Sequence, residues 1–122
     1  MRRAFPALFL IFVACSNLSW YVRHDQYTLY FGTNKVHGGV VSDAEWEQFL
    51  HDVVTPRFSG FTTWKAEGSW MNQREDTHIL VIIHAAGHEA AIREIVAEGQ
   101  RRLDQQEVLL VRSDVWLPVA SY

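Results

Sequence analysis

The segment Thr77 to Ala85 constrains this chain more than any other, because its centre, Ile79-Leu80-Val81-Ile82-Ile83, is an unbroken apolar run of strand-forming types. In an extended strand Ile79, Val81 and Ile83 face one way and Leu80 and Ile82 the other. Both faces are apolar, so the strand belongs inside a sheet with cover on each side. Helices supply one cover. A homodimer packed sheet to sheet into an α+β barrel is the expected second cover, with a tail containing Trp116 and Leu117 folded over that face as the alternative.

The remaining elements arrange themselves around this strand. Tyr27-Thr28-Leu29-Tyr30-Phe31 reads as a first strand, stopping at Gly32 and followed by a Gly38-Gly39 loop. Ser42-Asp43-Ala44-Glu45 is a capping box, and Trp46, Phe49, Leu50, Val53 and Val54 follow at helical spacing until Pro56 ends the ladder. Phe61 to Trp64, with Ser69 to Met71 beyond a break at Gly68, forms the second strand. Gly87 marks a turn before a helix over residues 89–103, whose Ile92, Ile95, Val96 and Leu103 share one face. Residues 107–111 make the last strand, with 115–119 as an extension or a short tail. The order βαββαβ predicts an α+β, ferredoxin-like fold: a four-stranded antiparallel sheet with two helices on one face.

The first residues carry a different message. Met1-Arg2-Arg3, the apolar run from Ala4 to Ala14, and then Cys15 follow the charged, apolar, small order of a signal peptide. Eleven apolar residues fall short of the roughly 20 that span a bilayer as a helix. Phe12-Val13-Ala14-Cys15 resembles a lipobox, making Cys15 the lipidation site; secretion with cleavage elsewhere and a buried N-terminal helix are the alternatives. Cys15 is the only cysteine, so no intramolecular disulfide forms. The expected division is residues 1–15 as signal, 16–26 as tether and 27–122 as one domain. The expected location is the periplasm, or the membrane of the bacterial envelope through a lipid anchor at Cys15. With Lys+Arg 11 against Asp+Glu 14 and no long basic run, nucleic acid is not an expected partner.

Leu29-Tyr30-Phe31-Gly32, Trp46 with Phe49, and Val54-Thr55-Pro56-Arg57-Phe58 followed by Gly60-Phe61-Thr62 form a recognisable series. It continues through Gly68 with Trp70, Arg74-Glu75, Ile82-Ile83 and Gln106-Glu107-Val108-Leu109. Together these residues resemble the bacterial domain-of-unknown-function family 3574 over about residues 27 to 111. The resemblance implies a small protein that often carries an export signal or lipobox, and it implies no activity. The single Ser59 between Phe58 and Gly60 is shorter than the family pattern.

Candidate functional residues are few. Arg57, after a helix-ending proline, could hold a carboxylate or phosphate, or tie helix-end carbonyls and pair with Glu75. Tyr30, Trp64 and Trp70 could wall a flat or sugar-like ligand, whereas Trp46 belongs to the core. His84 and His88 straddle a strand end and a helix start, unlike the shared helix face of a His-Glu-x-x-His site, so no metal is expected. No nucleophile elbow, phosphate loop or dinucleotide fingerprint occurs, and no cofactor is expected. Two functions fit: a non-catalytic envelope module binding a small ligand or protein, or a small enzyme of the dimeric α+β barrel type. The enzyme would use a cavity between sheet and helices, with His84 or Glu75 as acid-base and Arg57 as anchor.

Overall fold

The computed structural model describes residues 20–119. The elements are β1 (Tyr21–Gly32), α1 (Asp43–Phe49) running into a π-helical turn (Leu50–Val54), β2 (Thr62–Trp70), β3 (Gln73–His84), α2 (Glu89–Arg102) and β4 (Leu109–Pro118). The sheet order β2-β3-β1-β4 with antiparallel pairing throughout is the ferredoxin-like arrangement. The expected signal and Cys15 lie outside the described residues. Among those described, no helix is long and apolar enough to cross a membrane.

Register decides which side chains meet the helices. Tyr27 pairs with Ile82, Leu29 with Leu80 and Phe31 with His78, placing these residues on one face. That face is the core: Leu29, Phe31, Leu80 and Ile82 are fully buried beneath Trp46, Phe49, Val53 and Val54 from the first helix and Ile92 and Ile95 from α2. Phe31, Trp46 and Phe49 meet with ring centroids 5.2 to 5.5 Å apart. The capping box forms as expected, Ser42 Oγ accepting from the Glu45 N–H while the Glu45 carboxylate accepts from the Ser42 N–H. The Thr55 N–H reaching back to Leu50 O widens the last turn, and Leu50, Val53 and Val54 are all buried there before Pro56 ends it.

Several boundaries differ from expectation, each for a physical reason. β1 begins at Tyr21, so residues 21–26 of the expected tether belong to the sheet, where Val22 to Gln26 pair with Leu117 to Ser113 of β4. The 115–119 segment is for the most part the far half of β4, so Trp116 and Leu117 do not fold over the open face. β2 runs through Gly68 without a break, since Gly68 pairs with Glu75, and a Cβ there would sit 2.7 Å from Thr77 Oγ1. The two-residue turn Met71-Asn72, both at positive φ, closes the β2–β3 hairpin.

Candidate functional site

The face away from the helices holds Trp64 and Trp70 from β2, Glu75, Ile79, Val81 and Ile83 from β3, Tyr30 from β1 and Val111 from β4. This follows because Tyr30 pairs with Ile79 and Trp64 also pairs with Ile79. At one end the sheet opens into a groove of about 1130 Å³ whose lining includes Tyr30, Trp70, Met71, Glu75, Gln105 and Glu107.

Glycine makes the floor. Gly32 lies beneath the Glu75 carboxylate, and a Cβ there would come within 2.5 Å of Glu75 Oε1. That oxygen accepts the Asn34 N–H at 2.6 Å, fixing the carboxylate over bare backbone. The adjoining wall is pinned from two directions: Gln105 Nε2 donates to Asn34 O at 3.1 Å, and the Asp104 carboxylate accepts the His37 N–H at 2.8 Å. The His37 bonds hold the Asp104 carboxyl below the usual carboxylate range. Asp104 itself sits at positive φ just past α2, the left-handed turn that ends many helices.

Three of the expected site residues line this one groove: Trp70 and Glu75 at one end, and Tyr30, level with Trp64 through Ile79, about 20 Å along the sheet from Trp70. Trp64 shares their face and the level of Tyr30 but lies outside the groove's lining. Arg57 and His84 do not join them. Arg57 donates to Val53 O at 2.9 Å and to Glu94 Oε2 at 3.0 Å, tying the first helix to α2. Its partner is Glu94 because β3 carries Glu75 to the opposite face of the sheet. His84 faces the helix side, where Phe58 packs edge-on against it.

A second polar cluster lies on the helix side of β1. Asp25 is buried, accepting Arg112 Nη2 at 3.0 Å and the Tyr27 hydroxyl at 3.5 Å. Burial first and the Asp25 charge second push the Tyr27 hydroxyl above its ordinary range. Asp25 also pairs across the sheet with His84 on one side and Asp114 on the other. The sequence signal for this cluster was the alternation Asp25, Tyr27, Leu29, Phe31, obscured by reading residues 16–26 as tether.

No curated protein matches the chain. Among the solved structures that resemble it are the following three. A candidate PII-like signaling protein from Thermus thermophilus is 16% identical, with 80% of this chain and 91% of that chain covered and a TM-score of 0.47. A phage SAM lyase in complex with S-methyl-5'-thioadenosine is 11% identical, with 81% and 92% covered and a TM-score of 0.49. A de novo designed protein with ferredoxin fold is 10% identical, with 83% and 90% covered and a TM-score of 0.36. What the first two bind or do remains theirs. The model of the family "Protein of unknown function (DUF3574)" matches residues 26–118, and the chain belongs to that family.

Proposed function

We propose that the chain is a non-catalytic binding module of the bacterial envelope, exported and tethered through Cys15, which takes a small polar ligand in the groove of its open face. The carrying observation is Trp70 beside the anchored Glu75 carboxylate over a glycine floor, in a groove that Tyr30 lines farther along. An aromatic face beside amide and carboxylate groups suits a ligand with one apolar face and a rim of hydroxyl or amide groups, such as an N-acetylated sugar.

The enzyme reading has less support. A general acid or base must reach the reacting atom, and Glu75 and His84 occupy opposite faces of the sheet. Arg57 is already engaged by Val53 O and Glu94.

The test is a titration of the protein with N-acetylglucosamine oligomers, followed by the indole N–H resonances of its five tryptophans. The expected result is a saturable shift at Trp70 that is lost in Trp70→Ala. Shifts confined to other tryptophans, or none with any oligomer, would remove the groove reading.

A further inference from the structure

The strongest unassigned arrangement lies on the helix side, where β3 ends and α2 begins. His84 Nδ1 and His88 Nδ1 stand 3.1 Å apart, and Ala85 O lies 3.3 Å from the first and 3.0 Å from the second. Three electron-pair donors thus form a nearly equilateral triangle. The Gly87 turn, at φ +100°, folds the chain back so that residues four apart across a strand end meet. Phe58 contacts both imidazoles, with ring centroids at 5.4 and 6.3 Å, and backs the pair from one side.

Protons leave one edge of this triangle without a hydrogen bond. A carbonyl oxygen only accepts, and a neutral imidazole has a single N–H. If His88 Nδ1 carries its proton, it can serve Ala85 O and His84 Nδ1, and the edge between those two carries no hydrogen bond. If both Nδ1 atoms are protonated, two N–H groups oppose each other. A cation above the triangle's centre satisfies all three atoms together. For metal–nitrogen distances of about 2.0 to 2.1 Å, nitrogens on one ion lie roughly 3 Å apart, which is the separation present.

We propose that His84, His88 and the Ala85 carbonyl form a binding site for a divalent transition cation of the zinc, copper or nickel type. Imidazole nitrogen selects these ions over magnesium or calcium, and the ligand set contains no thiolate or carboxylate. His84 is half-buried and His88 is exposed, so the outer coordination positions open to solvent and are free for water or for a donor from a partner molecule. Among the described residues no group of three His, Cys, Asp or Glu side chains converges, which makes this a two-imidazole site completed by backbone. It is independent of the groove, which lies on the other face of the sheet.

The experiment is a titration of the untagged protein with zinc alone, read by the imidazole 15N resonances. The expected outcome is that the Nδ1 signals of His84 and His88 move together and saturate at one zinc per chain. His24, His37 and His51 stay in place until zinc is in excess. His88→Ala weakens binding by at least about tenfold, because one of two protein imidazoles is lost. Since His88 is exposed, its zinc-free melting temperature matches that of the parent, which separates ligand loss from misfolding. Zinc arriving first at His24, His37 or His51, no zinc binding at all, or a His88→Ala variant with parental affinity would each overturn the site.

Discussion

The imidazole of His78 lies flat on the indole of Trp46, with ring centroids 4.4 Å apart and planes within 9° of parallel. His78 is buried at 4% exposure, and its Nε2 has no hydrogen-bond partner among the described residues. Burial first and the nearby Lys65 charge second hold this imidazole below the ordinary histidine value of 6.5. The native state therefore keeps it neutral where the unfolded chain would take up a proton. Stability is complete above about pH 6.5 and declines as pH falls, because the unfolded state then binds more protons. Denaturant unfolding of the parent and His78→Phe across pH 5 to 8 checks this. The variant is expected to lose the acid-side decline contributed by His78 and to match or exceed the parent at pH 7. An unchanged pH profile would mean that His78 is not the titrating group.

A second prediction concerns Gly99 in α2. In an exposed helix, glycine to alanine stabilises by up to about 1 kcal/mol. Here an added Cβ would meet Phe31 Cε1 at 2.5 Å and Phe49 Cζ at 3.3 Å, inside the aromatic cluster under the helix. Overpacking costs roughly 1 to 3 kcal/mol and outweighs the helical gain. Gly99→Ala should lower the melting temperature, whereas Gly38→Ala is strained for a different reason, its positive φ of 99° in open space. Thermal unfolding of the two variants separates crowding from backbone strain.

The elements whose signals are local were legible in the sequence. Ser42 and Glu45 announced the first helix, and the run from Ile79 to Ile83 announced a central strand with two apolar faces. The register of β1 was not legible, because Tyr21 to Gln26 mixes polar and aromatic residues that become a strand only when β4 lies alongside. Gly68 read as a break for the same reason: its partner across the sheet is set by tertiary pairing. Tyr30, Trp70 and Glu75 were identifiable as residue types with chemistry, and the shared groove emerged once odd and even positions of β1 and β3 were sorted to faces. The contact of His84 with His88 was hidden because i,i+4 spacing suggests proximity only within a helix, and here a glycine turn supplies it.

Arg57 provides a clean separation of structural from binding roles. Arg57→Ala removes the bonds to Val53 O and Glu94 at a site where the side chain is 29% exposed. The loss should cost on the order of 1 kcal/mol, most of it from the carbonyl bond, since the partner Glu94 is well exposed. Sugar binding at the groove should be unchanged, because Arg57 lies on the other side of the sheet. Loss of binding with folding intact would instead give Arg57 a ligand.

The open face makes the last prediction. A four-stranded sheet about 20 Å across and 30 to 40 Å long presents on the order of 600 to 800 Å², near the 800 Å² each partner contributes to a standard interface. It carries Trp64 at 47% exposure on one edge strand, Ile83 at 40% on β3 and Val111 at 43% on the other edge strand, an apolar surface that water solvates poorly. A second copy applied sheet to sheet would cover these residues while leaving the helix side, with His84 and His88, in solvent. Sedimentation at micromolar concentration is expected to give a dimer. Val111→Asp places a charge on an edge strand that tolerates it in the monomer but not in the covered state, so this variant should sediment as a folded monomer. A parent protein that is monomeric at these concentrations would rule out the sheet-to-sheet pair, and a variant that remains dimeric would move the interface elsewhere.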